Sequence, residues 1–283
     1  QVEVDNGQHV FLGCCTYYIE FLRALGVESN THLQSRLRVG VFLNGKRGTL
    51  NSLPFLGPLH MLPSLAFYPH LGLRDKLLAV YGLLRIKLTD RRKHAEELDG
   101  QTFYDLLKVH HQTDKAIDRL WNLIVLPALN DDVRAVSAEM GVMIFQEGLL
   151  KKPRDAAIGY SKIGLTSLTG TPAQRYIEER KGRLVTGSAV KSLKIDDGLV
   201  TAVELSDGSS HRAGAYVSAL PYDVLRGMLP GPTAGQPFFS RLAGLRSSPI
   251  VGVHLWYDRG VMDQEFVAFL DSPVQWVFNK SLI

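Results

Sequence analysis

The sequence has few cysteines and lacks the glycine motif of dinucleotide-binding turns. Only two of its 283 residues are cysteines, Cys14 and Cys15, and no G-x-G-x-x-G occurs in it. Adjacent cysteines close a disulfide only with strain, so we predict two reduced, buried thiols and a cytoplasmic location. His110 and His111 are adjacent, but no Cys or Glu at helical spacing completes a ligand set around them. We therefore predict no metal site.

Strong charge and long apolar runs are also absent. The net charge is +4, from 32 basic and 28 acidic residues, which argues against a nucleic-acid-binding protein. No apolar run is long enough to cross a bilayer, and we expect no signal peptide. With 45% hydrophobic and 21% charged residues, the chain is expected to fold around one or two cores. Because it begins with Gln1 and ends within an apolar stretch, we expect a fragment of a longer protein.

A three-stranded meander is the clearest local prediction. Residues 185–195 and 199–205 read as strands on either side of an Asp-Asp-Gly turn, and Asp207-Gly208 turns the chain again. Residues 213–220 are apolar almost throughout and end at Pro221, as expected for a strand buried on both faces.

A polar cluster near the start lies between apolar flanks. It consists of Asp5, Asn6, Gly7, Gln8 and His9. Gly7 permits a turn or a close approach to a ligand, the amides donate and accept hydrogen bonds, and His9 can titrate. The pattern leaves two interpretations open, a plain turn and a ligand-facing loop.

Residues 50–88 are apolar and interrupted by four prolines before a helix predicted at 74–88. A basic cluster lies at the end of that helix and just beyond it. One interpretation is a lid or core segment with a solvated basic face. The other is a monotopic membrane contact, with apolar side chains in lipid and cations at the headgroups.

The C-terminal region predicts further strands. Residues 248–261 (SPIVGVHLWYDRGV) alternate in polarity and read as a strand, and 266–270 and 274–278 are expected to pair with it. Core packing is the expected role of Trp256, Tyr257 and Trp276.

The meander resembles the flavoprotein amine oxidase superfamily. The shared pattern is GSAV, a DG turn, SDG and a strand ending in Ala-Leu-Pro. The resemblance implies that Val190 lies against the adenine side of FAD, and that Ala219, Leu220 and Pro221 run back toward the cofactor.

More specific motifs resemble the squalene-associated flavoprotein desaturases. These are DNGQH before a Tyr-containing helix, Trp121 followed by Pro-Ala-Leu-Asn, and SPIVGVHLWYDR followed by DSPVQWVFNK. The resemblance implies that Asp5, Asn6, Gly7 and Gln8 line the flavin. His9 is then the most plausible proton donor, although a purely structural role fits it equally well.

The resemblance implies an α/β (α+β) fold, namely a partial FAD/NAD(P)-binding, amine-oxidase-like fold with a mixed sheet-and-helix substrate domain. Residues 1–50 would belong to the FAD domain and 51–160 to a helical region facing substrate or membrane. Residues 161–225 would form the FAD-domain meander, and 226–283 an incomplete substrate-domain sheet.

The implied activity is FAD-dependent reduction of hydroxysqualene to squalene by hydride transfer from reduced flavin. The alternative is a phytoene-type carotenoid desaturase, in which hydride moves from substrate to flavin; an amine oxidase is a weaker one. In another class, the chain could be a non-catalytic lipid-binding fragment. The expected partners are a polyprenyl lipid and the cytoplasmic face of a membrane, with no nucleic acid and with the oligomeric state left open.

Overall fold

A computed structural model describes residues 4–54 and 56–283 of the chain. Its strands are β1 Val10–Leu12, β2 Thr31–Leu33, β3 Arg38–Leu43, β4 Lys46–Asn51, β5 Ile158–Ser161, β6 Val190–Asp196, β7 Leu199–Leu205, β8 Ser210–His211, β9 Phe266–Phe269 and β10 Trp276–Phe278. Its α-helices are α1 Thr16–Ala24, α2 Leu62–Phe67, α3 Leu73–Leu88, α4 Ala95–Asp99, α5 Phe103–Val109, α6 Asp114–Ala116, α7 Asn122–Leu129, α8 Ala138–Met143, α9 Thr171–Glu179, α10 Tyr222–Met228, α11 Gly231–Ala234 and α12 Pro237–Ser240. No helix in these ranges is long and apolar enough to cross a membrane.

The chain forms two compact units. The first comprises residues 1–176 and 249–283, and the second residues 177–248. The four segments expected from the sequence, 1–50, 51–160, 161–225 and 226–283, concern functional roles, and those roles stay predictions.

A mixed four-stranded sheet, in the order β10-β9-β3-β4, belongs to the first unit. The hairpin of β3 and β4 forms because Asn44 and Gly45 both adopt the positive φ angles (48° and 76°) that a tight two-residue turn requires. On its other edge β3 pairs in parallel with β9, with Gly40 opposite Val267. A second sheet, β1-β5-β2, is antiparallel throughout.

Helices α3 to α8 surround a core of large aromatic side chains. Phe103, Trp121 and Phe145 are fully or almost fully buried and lie in mutual ring contact, with centroids 4.8–6.1 Å apart. Thr102 caps α5 by accepting a hydrogen bond from the Asp105 amide. Gln112 joins this core by accepting a hydrogen bond from the Trp121 indole at 2.9 Å.

The second unit contains the meander β6-β7-β8. Asp197 and Gly198 form its first turn with positive φ angles of 48° and 77°. The third predicted strand is wrong, because residues 213–220 are not assigned to a strand and Val217 is 96% exposed. Most side chains in this segment are as small as Ala, Gly or Ser, so pairing would bury little apolar area.

The predicted strand at 248–261 is also wrong. No strand is assigned there, and Trp256 and Tyr257 are 69% and 61% exposed, which excludes core packing for both. Of the two expected partner strands, β9 is paired with β3 on one edge and β10 on the other and has no free edge. The other, β10, lies at the edge of the sheet, and residues 248–261 do not pair with it. Trp276 does pack against the core, as predicted.

Candidate flavin-facing loop

The polar cluster of residues 5–9 is an open loop immediately before β1. Asp5 fixes one end of it, because its Oδ1 accepts a hydrogen bond from the Leu165 amide at 3.0 Å. A side chain added at Gly7 would meet nothing within 4 Å. The loop thus leaves space at Gly7 for a ligand to approach the backbone.

His9 is exposed and lies 3.3 Å from Asn6, measured from its Nε2 to the amide Oδ1. Since the amide oxygen can only accept, Nε2 carries the hydrogen of this bond and Nδ1 is left as an acceptor in the neutral ring. The neighbouring Gln8 donates to the His9 carbonyl at 3.1 Å. The arrangement orients the imidazole while leaving its basic nitrogen available for proton transfer.

Lys280 adds a positive charge to this loop. Its Nζ donates to Gln8 Oε1 at 3.0 Å, although the two residues lie at opposite ends of the sequence. No local sequence pattern indicated Lys280, because only the folded chain places residues 8 and 280 together.

An apolar surface borders the loop. The extended segment 249–257 passes beside it, since a side chain added at Gly252 would lie 3.8 Å from the Asn6 carbonyl oxygen. The large apolar residues of this segment are mostly exposed; they are Ile250, Val251, Val253, Leu255, Trp256 and Tyr257. The loop therefore combines polar donors with a surface suited to a hydrocarbon.

The other four predicted cofactor residues belong to the second unit. Val190 is half-buried, begins β6 and pairs with Leu205. Ala219, Leu220 and Pro221 are exposed, and Pro221 immediately precedes α10. Their contacts with FAD stay a prediction, as do those of residues 5–8.

The thiols that follow β1 differ in their surroundings. Cys14 is half-buried, but Cys15 is exposed, so the prediction of two buried thiols is wrong for Cys15; both are free, as predicted. The Cys14 thiol donates a hydrogen bond to the Cys15 sulfur, which lowers the pKa of Cys15 to about 6 and raises that of Cys14. Cys15 is thus the more reactive thiol.

Tyr160 in β5 lies opposite Val10 of β1. Burial, followed by the hydrogen bond and negative charge of Glu265, raises the pKa of this phenol. It therefore stays protonated at neutral pH. Among residues 4–54 and 56–283 no three His, Cys, Asp or Glu side chains are grouped closely enough to hold a metal ion.

The donor set of the loop suits the polar edge of a flavin ring. The two amides, the imidazole and the Lys280 ammonium can donate to carbonyl oxygens, and the amides and the imidazole can also accept from a ring N–H. The backbone at Gly7 is open to such a ring.

The family model for flavin-containing amine oxidoreductases matches residues 2–277, nearly the whole sequence. The chain belongs to this family. Membership confirms the predicted superfamily and fold class, and it confirms the predicted cofactor, FAD, at the level of the family.

Curated relatives in the family include carotenoid desaturases. The chain is 25% identical to the 15-cis-phytoene desaturase of Synechococcus elongatus over 97% of its own length and 59% of that protein. It is also 25% identical to the zeta-carotene desaturase of a Synechocystis strain, over 92% of its length and 56% of that protein. The chain thus spans little more than half the length of these relatives.

A solved structure supports the fold. An oxidoreductase from Methanosarcina mazei superposes with a TM-score of 0.59, covering 86% of this chain and 56% of that one, at 14% identity. At this identity the similarity concerns the fold alone.

The curated desaturases agree better with the carotenoid-desaturase alternative than with the expected hydroxysqualene reduction.

Proposed function

We propose that the protein containing this chain is an FAD-dependent oxidoreductase that desaturates a polyprenyl hydrocarbon of the carotenoid-precursor type. The observation that carries the proposal is the similarity to phytoene and zeta-carotene desaturases across 92–97% of the chain. The proposal reverses the hydride direction that we expected from the squalene-like motifs.

The reaction removes two hydrogens from adjacent carbons of the substrate. Bound FAD would supply the hydride-accepting chemistry for one of them, and the other would leave as a proton to a base of the protein. His9 is the candidate base, because it is exposed and its Nδ1 is free to accept in the orientation that Asn6 holds. The apolar segment 249–257 would keep water from the reacting carbons.

Reduction of hydroxysqualene is the second candidate. It is favoured by DNGQH and SPIVGVHLWYDR, which resemble squalene-associated enzymes. In this direction a protonated His9 would donate to the departing hydroxyl oxygen.

The gene product, expressed to its natural ends in hosts that accumulate phytoene or hydroxysqualene, separates the two candidates. We expect phytoene to lose hydrogen in pairs, as read by mass spectrometry of extracted lipids. Conversion of hydroxysqualene to squalene, with phytoene unchanged, would replace the proposal by the second candidate. A flavin absorption spectrum with both lipids unchanged would contradict both substrate assignments.

Replacing His9 by alanine is expected to lower kcat by about 100-fold or more, the usual contribution of a general acid or base. Flavin content, measured by absorbance, should stay near that of the wild type because the amides of the loop are retained. The matched control is His211→Ala, which removes an exposed histidine of β8. An unchanged kcat in His9→Ala would assign His9 a structural role.

A further inference from the structure

Helix α3 has apolar residues on two opposite faces, of which one is buried and the other is exposed. Its buried face consists of Asp75, Ala79, Gly82 and Ile86. Its outer face consists of six apolar residues that are 38–75% exposed: Leu73, Leu77, Val80, Tyr81, Leu84 and Leu88. At about 100° of rotation per residue, the two faces lie about 180° apart around the helix. An exposed apolar surface of this length indicates a site that binds another molecule.

The buried side of α3 is anchored. Gln112 donates to the Leu78 carbonyl at 2.7 Å, and Gln146 donates to the Ile86 carbonyl at 2.8 Å. Asp75 accepts from the Thr113 hydroxyl at 2.7 Å. The outer face is therefore held as a fixed platform, and its exposure does not come from a loosely attached helix.

Basic side chains line both borders of the outer face. The rotation per residue places Lys76 and Lys87 along one border and Arg74 and Arg85 along the other. Of these four, Lys76 donates to the Ala66 carbonyl at 2.7 Å. Among the residues that the structure describes, none of the four forms a salt bridge within the outer face.

More cations follow the end of α3. Arg91 is paired with Glu139 at 2.9 Å, but the structure shows no salt bridge for Arg92 or Lys93 within its described part. The nearby Asp90 accepts from the backbone amides of Arg92 and Lys93, so it caps the turn. The basic character of the face thus extends beyond the helix.

A neighbouring aromatic residue extends the apolar surface. The bond from Lys76 to Ala66 places the end of α2 beside the first turns of α3. The next residue, Phe67, is 87% exposed. Leucines with an aromatic side chain on one face, bordered by Lys and Arg, are the composition of helices that lie in a membrane interface.

We propose that the outer face of α3 docks on an anionic lipid bilayer, with the helix in the plane of the interface and the bordering cations at the headgroups. Charge complementarity favours this occupant. In a two-fold dimer through the same face, the basic borders of the two copies would meet like charges. The proposal does not depend on which substrate the enzyme converts.

Vesicle flotation of the full-length gene product tests the apolar part of the proposal. We expect binding to phosphatidylcholine vesicles that contain phosphatidylserine, and at least about tenfold weaker partitioning for Leu77→Ser/Leu84→Ser, since two side chains no longer insert. The matched control is Leu199→Ser/Val217→Ser, two residues that are 71% and 96% exposed in the second unit. Circular dichroism should show the same helix content in all variants.

The cations are tested separately. Arg85→Gln/Lys87→Gln should weaken binding to the anionic vesicles by about fivefold for each charge removed, and added salt should weaken wild-type binding. Arg183→Gln/Arg212→Gln, which removes two exposed cations of the second unit, should leave binding unchanged.

Three results would overturn the proposal. One is equal binding of wild type and Leu77→Ser/Leu84→Ser. Another is equal binding to neutral and anionic vesicles. The third is a protein that does not bind vesicles but forms a dimer in analytical ultracentrifugation, with the dimer dissociated by Leu77→Ser/Leu84→Ser. In that case a second copy of the chain would cover the outer face.

Discussion

Gly141→Ala is expected to destabilise the first unit by about 3 kcal/mol, the upper end of the usual cost of overpacking a core. A Cβ at this position would lie 2.3 Å from the ring of Phe103. That ring is fully buried and is held between Trp121 and Phe145, so it has no direction in which to move. Urea unfolding, followed by circular dichroism, measures the change.

The matched control is Gly170→Ala, also in the first unit. Its Cβ would meet the methyl group of Thr166 at 3.6 Å, an ordinary contact, so stability should change by less than about 1 kcal/mol. Equal urea midpoints for Gly141→Ala and the wild type would mean that α8 and α5 do not pack as closely as the structure shows.

Gln112→Leu is expected to cost about 3–5 kcal/mol, because it removes three hydrogen bonds and leaves the buried Trp121 indole N–H and His110 carbonyl without this partner. The side-chain amide of Gln112 donates to the carbonyls of Leu78 and His110, and its oxygen accepts from the Trp121 indole. Leucine is similar in size but offers none of these bonds. Thermal unfolding, followed by circular dichroism, should show a lower Tm than that of the wild type.

A control variant separates the loss of these hydrogen bonds from a general effect of replacing glutamine by leucine. Gln101→Leu removes a single exposed bond to the Glu97 carbonyl and should change stability by less than about 0.5 kcal/mol. If Gln112→Leu unfolds at the same Tm as Gln101→Leu, the hydrogen bonds of Gln112 do not stabilise the core as proposed.

Elements defined by local chemistry were predictable from the sequence. The Asn44-Gly45 turn, the Thr102 cap and the helix ending before Gly26 each depend on a few adjacent residues whose conformations are restricted. The polar residues 5–9 were predicted to form a plain turn or a ligand-facing loop; they form an open loop, and their contact with a ligand stays a prediction.

Features that depend on distant partners were not predictable. An apolar run such as 249–257 becomes a strand only if the fold brings it to the free edge of another strand; β9 has no free edge, and the run does not pair with the edge strand β10. The bond between Lys280 and Gln8 has no local signal either. The leucines of α3 were visible in the sequence, but which face of the helix is buried depends on contacts with distant residues such as Gln112 and Gln146.

The parallel pairing of β3 with β9 also has a consequence for synthesis on the ribosome. Gly40 leaves the exit tunnel long before its partner Val267 is made, so the β3–β4 hairpin exists for most of translation with one edge unpaired. Such an edge can join strands of other nascent chains. Sheet closure is therefore a late, non-local step that makes folding slow, and expression at lower temperature or with chaperones is expected to raise the soluble yield.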